Sequence, residues 1–434
     1  MPNFSPGKLI IPPGAPHLFE EPGGREAANR ESALCLSRID RQGDKPVKIK
    51  SVNARSVHVP IAPEKQHSSD FGRAHSFAAT IVRIDTECGL TGWGESKSQV
   101  GGVAQNRALT ALINEEMAPF LVGEDPRDIT RLWESLYNGS RAHHALREGR
   151  VFPVLGRRGI TISAISGIDC ALWDILGKSL GVPVWRLLGG RKAQRMPAYA
   201  SGGWAGAERI GEELLSYVEA GGFGAVKMRV GIMDGEPRRS AARVAAARKA
   251  LGAERKLMCD AHGTWSVAEA KRFCRLVEEY DLAWFEEPVT ADDKRGYAEV
   301  RASTSIPIAA GESEFTRHDF RDLALLSAAD IFQPDLAICG GITEAMRISA
   351  LASAFNLRLA PHLWAGAPAF AAGLHVAAAS PAGFILEYSL GANPLLHELA
   401  EESFPVEGGE IEIPERPGLG VTPREEFLAR YSLP

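Results

Sequence analysis

Titratable side chains recur at regular intervals in the second half of the chain, each close behind a short apolar run. Successive members of the main series are about 25 residues apart, roughly the length of one strand plus one helix. A solvated face would carry its charges on the helices, so this regularity favours a shared active site. The series consists of Asp260, Glu286, Glu312, Asp335, His362 and Glu387, and an earlier run ends with Lys227 and Arg229.

Three carboxylates of this series, Asp260, Glu286 and Glu312, follow three consecutive apolar runs. Held together without a cation, they would repel one another and their pKa values would rise. Mg²⁺ is a hard ion that prefers oxygen ligands, so the pattern predicts a magnesium site. Three separate salt bridges to Lys or Arg on helices are the competing interpretation. Glu287 is adjacent to Glu286, and the pattern leaves open which of the two faces the barrel interior.

Two histidines of the second half are candidates for proton transfer. Asp335 and His362 lie on neighbouring predicted strands, and a carboxylate bonded to one imidazole nitrogen makes the other a general base. A histidine that follows Ala-Pro is otherwise more often structural. His262 shares a strand face with Asp260, where it can protonate a leaving group or donate a supporting hydrogen bond; both roles remain open.

Lys227 and Arg229 are two positions apart, so both side chains can face the same side of a strand. Two cations beside a metal can bind the carboxylate of a substrate, and each lowers the pKa of the other. A structural or simple anion-binding pair is the alternative.

Eight short apolar runs position these residues, and a helical stretch follows each of the first seven. This alternation implies parallel strands with helical crossovers. Eight units within about 195 residues predict an α/β protein with a closed barrel. The strands of a barrel converge at one mouth, which would bring the titratable residues together. The runs begin near residues 196, 225, 256, 283, 306, 331, 357 and 384.

The chain divides into four predicted parts. Residues 1–45 are rich in Gly, Pro, Glu and Arg without periodicity, which predicts an extended or disordered arm. Strand and helix patterns of a second domain fill residues 46–190, and a polar segment at 62–75 is long enough for a functional lid. The barrel is expected at 191–390, and the tail, 391–434, is expected to pack back on the N-terminal domain.

Composition excludes several classes of function. Of 434 residues, 49 are Lys or Arg and 54 are Asp or Glu, and a net charge of −5 argues against nucleic-acid binding. No apolar run approaches the length of a membrane span, and the N-terminus lacks the pattern of a signal peptide. The 6 cysteines contain no C-x-x-C pair, which predicts reduced thiols in a cytoplasmic protein. The charge and the apolar runs together predict that it contacts neither nucleic acid nor membrane.

An ordered set of short motifs surrounds the titratable residues and extends the argument. In chain order they are Val226-Lys227-Met-Arg229-Val-Gly, Cys259-Asp260-Ala-His262-Gly, Trp284-Phe-Glu286-Glu-Pro, Ala310-Gly-Glu312-Ser, Gln333-Pro-Asp335, Gly340-Gly-Ile-Thr and Ala360-Pro-His362-Leu. Together they resemble the enolase superfamily, in its mandelate racemase/muconate lactonizing enzyme branch.

The resemblance implies a modified (β/α)7β TIM-type barrel with an α+β capping domain built from the N-terminal part and the C-terminal tail. It also implies one Mg²⁺ per subunit on Asp260, Glu286 and Glu312, and a homo-oligomer. It thereby selects Glu286 over Glu287. Glu387 matches a family position that hydrogen-bonds the carboxylate of a small-molecule acid substrate.

The motifs also indicate the type of reaction. The family usually has Lys-x-Lys where this chain has Lys227 and Arg229, and deprotonating Arg at neutral pH costs roughly 7 kcal/mol. This leaves His362 as the main base. The Asp260-x-His262-Gly pattern is similar to galactonate dehydratases, where this His is the acid. The prediction is a Mg²⁺-dependent lyase of carbohydrate catabolism that dehydrates a sugar acid to a 2-keto-3-deoxy acid.

Two other functions remain as alternatives. A racemase or epimerase of 2-hydroxy acids would use Lys227 or Arg229 as a second base. A non-catalytic barrel that binds acids or serves as a scaffold is the other. Cycloisomerisation is less favoured, because Asp335 stands where lactonizing relatives carry Lys. Predicted substrate contacts are Arg73, His143, Arg150 and Trp364.

Overall fold

The computed structural model describes residues 47–70, 72–98, 102–147 and 157–433, with the backbone alone described at 69 and 140–147. The predicted N-terminal arm, residues 1–45, lies outside the described residues.

The N-terminal cap combines an antiparallel sheet with a helical layer. Its three-stranded sheet has the order β1 (Ile49–Pro60), β4 (Ser76–Thr86), β5 (Thr91–Ser96), and a short hairpin of β2 (Ser68–Ser69) and β3 (Gly72–Arg73) lies between β1 and β4. The helices are α1 (Val103–Ala111), a π-helix (Leu112–Met117), α2 (Ala118–Leu121), α3 (Ile129–Arg147), α4 (Ile160–Leu180) and α5 (Val184–Leu187).

Helix α4 packs closely on strand β5 because glycines line the contact. A Cβ on Gly94 would collide with the carbonyl oxygen of Gly167, so neither backbone has room for a side chain there. Helix α4 is also long and apolar enough to cross a membrane, but 78% of its most apolar window is buried within the protein. This burial is typical of a core helix.

The barrel consists of eight parallel strands with a helix after each of the first seven, as the sequence predicted. Its strands are β6 (Arg195–Gly202), β7 (Ala225–Arg229), β8 (Lys256–Asp260), β9 (Leu282–Glu286), β10 (Ile308–Ala310), β11 (Ile331–Phe332), β12 (Arg358–Leu359) and β13 (Leu386–Ser389). The helices are α6 (Ile210–Gly221), α7 (Pro237–Leu251), α8 (Val267–Val277), α9 (Lys294–Arg301), α10 (Thr316–Leu325), α11 (Gly341–Ala354) and α12 (Ala367–Ala379).

Backbone pairing continues from strand to strand around the barrel and returns to its first strand. Each strand from β6 to β12 pairs with the next, and β13 pairs with β6. Between β12 and β13 the connection is made by two backbone hydrogen bonds, from Leu359 N to Ala382 O at 2.9 Å and from Phe384 N to Leu359 O at 3.2 Å.

An apolar cluster inside the barrel supports the polar residues at its mouth. Side chains alternate along a strand, so the residue two positions beyond a core residue faces the interior again, nearer the strand's C-terminal end. Met258 is followed in this way by Asp260, and Trp284 by Glu286. The cluster draws one buried residue from each strand or its flank: Tyr199, Ala225, Met258, Trp284, Ala309, Ile331, Ala360 and Ile385.

The C-terminal tail contacts both the barrel and the cap. Its elements are α13 (Pro394–His397), β14 (Val406–Glu407), β15 (Glu410–Glu412) and α14 (Glu425–Tyr431). Strand β15 pairs antiparallel with β6 of the barrel. Glu425 at the start of α14 forms ion pairs with Arg55 and Arg83 of the cap sheet, and Leu433 N donates to Ser56 O at 2.8 Å.

Candidate active site

Three carboxylates converge at the C-terminal ends of adjacent barrel strands. Asp260 ends β8, Glu286 ends β9 and Glu312 follows β10, and one oxygen of each lies within 4.8 Å of the other two. Asp260 and Glu286 are buried, whereas the side chain of Glu312 is 18% exposed. Three clustered oxygen donors of full negative charge suit a hard divalent cation such as Mg²⁺. Within the described part of the chain, Lys and Arg ion pairs of Asp260 and Glu286 come from Lys227 and Arg229 on strand β7 rather than from helices.

Glu286, rather than its neighbour, points into this cluster. Its Oε2 accepts hydrogen bonds from Trp284 Nε1 at 2.9 Å and from Gln333 Nε2 at 2.6 Å. Glu287 adopts a left-handed backbone conformation with φ of 40°, which breaks the strand alternation. Burial and the charges of Glu312 and Glu286 raise the pKa of the Glu287 carboxyl group well above its usual value.

The two cations of strand β7, Lys227 and Arg229, lie at different depths in the barrel. Arg229 is in register with Asp260, forms an ion pair with it and lines the cavity, whereas Lys227 is in register with Met258, two residues nearer the strand start. Lys227 Nζ is fully buried, contacts Glu286 Oε1 and lies 3.0 Å from Glu387 Oε1. Burial lowers the pKa of Lys227, but these two carboxylates raise it well above its usual value overall.

Glu387 lies beside Lys227 beneath the cavity. It is fully buried, and its Oε2 accepts a hydrogen bond from Leu363 N at 2.9 Å. Burial raises its pKa, but Lys227 and His362 lower it well below the usual range overall. Neither Glu387 nor Lys227 is among the residues that line the cavity, and the substrate contact that the sequence predicted for both stays a prediction.

Asp335 and His362 form the predicted dyad. His362 Nδ1 lies 2.8 Å from Asp335 Oδ2, and His362 Nε2 points towards Glu312, 3.4 Å from its Oε2. Burial lowers the pKa of His362, but Glu312, Glu387 and the bond to Asp335 raise it overall. Although burial raises the pKa of Asp335, Lys97 and His362 lower it to about 2.

Lys97 is a site residue that the sequence analysis missed. It directly follows strand β5 of the cap, and its Nζ donates to Asp335 Oδ2 at 2.8 Å and to Trp364 O at 2.9 Å. Its position after Thr91–Ser96 was visible in the sequence, but nothing there connected it with a barrel residue.

His262 lies on the opposite flank of the carboxylates. Its backbone N donates to Asp260 Oδ1 at 2.9 Å, and its Nε2 is 3.6 Å from Asp260 Oδ2. Its Nδ1 is 3.0 Å from Oδ2 of Asp70, a second residue that the sequence analysis missed although it lies in the predicted lid segment 62–75. Burial and then Arg229 lower the pKa of His262, and the bond to Asp70 opposes this change.

A cavity of about 250 Å³ opens above these groups, between cap and barrel. From the barrel it is lined by Arg229, His262, Glu312 and His362. The predicted contacts Arg73 and Trp364 also line it, whereas Arg150 and the side chain of His143 lie outside the described residues.

Aromatic rings form one wall of the cavity. His67 stacks on Trp204 with 4.0 Å between ring centroids, and Trp364 stands nearly perpendicular to both. Burial and Arg229 lower the pKa of His67 to about 4, so its ring is neutral at physiological pH. His67 and Trp204 were not predicted as contacts.

Glu95 of strand β5 is a further cap residue at the cavity. Its carboxyl group is buried and accepts hydrogen bonds from Gly366 N at 2.8 Å and Ala369 N at 3.3 Å, at the start of α12. Burial raises its pKa to about 7. Through Glu95, strand β5 holds the backbone that follows His362 and Trp364.

Comparisons with known proteins give matches to both the cap and the barrel. The family model for the mandelate racemase / muconate lactonizing enzyme N-terminal domain matches residues 51–189, and the enolase C-terminal domain-like model matches residues 209–427. The chain is 39% identical to D-galactonate dehydratase of Ralstonia nicotianae over 367 residues, or 81% of this chain and 90% of that protein.

Two further relatives carry different activities in their names. D-galactarolactone cycloisomerase of Agrobacterium fabrum is 34% identical over 374 residues, covering 83% of this chain and 92% of that protein. The crystal structure of a racemase from Streptomyces coelicolor with bound magnesium has a TM-score of 0.77 at 30% identity, covering 89% of this chain and all (100%) of that one.

Proposed function

The chain belongs to the enolase superfamily, in its mandelate racemase/muconate lactonizing enzyme branch, and from this premise we propose that it is a Mg²⁺-dependent sugar-acid dehydratase. The reaction removes the C2 proton and the C3 hydroxyl group of a sugar acid and yields a 2-keto-3-deoxy acid. The sequence similarity to D-galactonate dehydratases makes D-galactonate the first substrate to test.

The observation that carries the proposal is a pair of histidines that line one cavity from opposite flanks of the carboxylate cluster. In each, a carboxylate holds Nδ1: Asp335 for His362 at 2.8 Å and Asp70 for His262 at 3.0 Å. Each Nε2 then faces the cluster. Dehydration needs one base and one acid at neighbouring carbons, and this geometry supplies both.

The cluster of Asp260, Glu286 and Glu312 fits one Mg²⁺ per subunit, because three charged oxygens lie within 4.8 Å of one another. The bound ion would supply positive charge beside the substrate carboxylate, where negative charge develops. Arg229 adds a fixed positive charge at the edge of the same cavity.

The protein's own residues move the protons. His362 Nε2 accepts the C2 proton, while Asp335 holds Nδ1–H and stabilises the imidazolium that forms. His262 in its imidazolium form, with Nδ1–H held by Asp70, donates its Nε2 proton to the C3 hydroxyl group, the C3–O bond breaks and water leaves. The C2–H electron pair becomes the C2–C3 double bond of an enol. The enol then takes a proton at C3, loses the proton of its C2 hydroxyl group and becomes the keto acid.

Racemisation is less well supported, because it needs a second base on the other face of C2. Lys227 is buried beneath the cavity and its carboxylate neighbours raise its pKa, so it stays protonated. Arg229 forms an ion pair with Asp260, and a guanidinium group is a poor general base.

The test is incubation of the purified protein and Mg²⁺ with a panel of sugar acids that includes D-galactonate and D-galactarolactone. Absorbance after reaction with semicarbazide detects 2-keto acids, and proton NMR in D₂O follows exchange at C2. Keto acid from an aldonic acid supports the proposal. Exchange with inversion and without keto acid would favour a racemase, and no reaction with any acid would favour a non-catalytic barrel.

A further inference from the structure

The lid segment 62–75 contacts the barrel through the acidic side chain of Asp70, in addition to the stacking of His67 on Trp204. Ser68 pairs with Arg73 and Ser69 with Gly72, so Asp70 lies at the turn of the β2–β3 hairpin. The side chain of Asp70 is 0% exposed, although it belongs to a surface segment of the cap. A carboxylate is buried in this way only when its oxygens find partners.

Those partners come from two barrel loops. Asp70 Oδ2 is 3.0 Å from His262 Nδ1 in the loop after β8, and Asp70 Oδ1 accepts a hydrogen bond from Met233 N, in the loop after β7, at 2.8 Å. Ile232 N donates to Thr264 Oγ1 at 3.1 Å and keeps the two loops adjacent. Asp70 therefore closes a connection between the lid and both loops.

Asp70 also orients the imidazole of His262. The backbone of His262 is fixed by a left-handed φ of 46° and by its hydrogen bond to Asp260. With Nδ1 held by Asp70, Nε2 faces the carboxylate cluster, 3.6 Å from Asp260 Oδ2. A carboxylate on Nδ1 fixes both the ring plane and the position of the ring protons.

We propose that Asp70 is a positioning residue for proton donation by His262 and that it makes loss of the leaving hydroxyl group dependent on a seated lid. This inference rests on the proposed dehydratase function. His362 takes its carboxylate partner, Asp335, from the barrel itself, so removal of the C2 proton does not require the lid contact. The two halves of the reaction thus depend differently on the hairpin.

The ratio of C2 proton exchange to hydroxyl elimination therefore tests the inference, because general damage to the fold would lower both rates and leave this ratio unchanged. Wild-type protein and Asp70→Asn are incubated with D-galactonate and Mg²⁺ in D₂O, and NMR measures both keto acid and deuterium at C2 of unreacted substrate. Asp70→Asn replaces an acceptor with an amide of similar size. We expect keto acid formation to slow by about 10- to 100-fold, while total loss of the C2 proton changes little and deuterium accumulates in the substrate.

Gln66→Ala is the matched lid control. Gln66 belongs to the same segment, its Nε2 donates at 2.9 Å to O of Ile61, the residue before the segment, and it is not among the residues that line the cavity. It should leave the ratio of exchange to elimination at the wild-type value. Misfolding of Asp70→Asn would reduce the rates of exchange and elimination together and leave their ratio unchanged. A ratio that stays at the wild-type value would overturn the inference. If wild-type protein gives neither product nor exchange across the acid panel, the proposed function itself fails.

Discussion

Lys97 of the cap donates a hydrogen bond to Asp335 of the barrel, with 2.8 Å between Nζ and Oδ2. The same oxygen lies 2.8 Å from Nδ1 of His362. Burial lowers the pKa of Lys97, but the charge of Asp335 raises it overall, so the lysine stays charged. The proposed base is therefore connected through one carboxylate to a residue of the other domain.

Replacing Lys97 with Met should change the pH profile of kcat/KM. The positive charge of Lys97 lowers the pKa of His362, so its removal raises that pKa. The base acts only when neutral, and the acid limb should therefore move to higher pH. Lys97→Arg keeps the charge and should keep the limb near its wild-type position. An acid limb that does not move in Lys97→Met would contradict the connection.

His362→Asn should abolish both halves of the reaction. Without the imidazole, nothing at this flank accepts the C2 proton, so C2 exchange in D₂O and keto acid formation should both fall by roughly 10²–10⁴-fold. Proton NMR of one sample measures both rates. Normal C2 exchange in this variant would show that another group is the base.

His262→Asn should separate the two halves. The proposed acid acts after the C2 proton has left, so keto acid formation should slow by roughly 10²–10⁴-fold while C2 exchange largely persists. The same NMR measurement applies, with His362→Asn as the contrasting variant. Equal loss of exchange and elimination would count against the acid role.

Removing the metal should abolish activity and lower thermal stability. A ligand that binds only the folded state raises the unfolding temperature by mass action. Because three carboxylates are clustered in the folded state, Mg²⁺ should raise the unfolding temperature strongly. We expect activity to disappear in EDTA and return with Mg²⁺. Glu312→Gln should reduce the Mg²⁺-dependent rise in unfolding temperature, measured by differential scanning fluorimetry. An identical rise in wild type and variant would remove Glu312 from the ligand set.

The buried carboxyl group of Asp169 in helix α4 should make the stability of the fold depend on pH, independently of the candidate active site. Burial raises its pKa from 3.8 to about 7, although it accepts hydrogen bonds from Thr343 of α11. The folded state thus keeps this proton to higher pH than the unfolded chain, and stability falls as pH rises through that interval, by roughly 4 kcal/mol at most.

Asp169→Asn removes this titration. Relative to wild type, the variant should therefore gain free energy of unfolding between pH 4 and pH 8, as measured by urea denaturation at several pH values. A difference that stays constant over this range would contradict the raised pKa.

The barrel residues could be predicted because parallel strands tie position in the sequence to position in space. Once Asp260 and Glu286 were placed at strand ends, their convergence followed from the fold, and the structure brings them together with Glu312. The finer placement of Lys227 did not follow from the pattern. Facing inward was correct, but a shift of two residues along a strand separates a cavity residue such as Arg229 from one beneath it.

The cap contributions could not be predicted in this way. Asp70 lies at a hairpin turn, and Glu95 and Lys97 lie at the end of an antiparallel strand. No repeated unit relates these positions to the barrel, and each makes its contact across the interface between the two domains. A single acidic or basic residue in such a segment is indistinguishable in sequence from a solvated one.

The division of the site between two domains limits how such enzymes can be recombined. Lys97 contacts Asp335, the partner of the proposed base, from the end of strand β5, and Asp70 contacts His262, the proposed acid, from the lid hairpin. A chimera that joined this barrel to the cap of a relative would inherit all three predicted metal ligands and both histidines, yet the cap residues that contact Asp335 and His262 would come from the relative. Grafts between relatives should therefore carry the hairpin and the end of β5 along with the barrel if turnover is to survive.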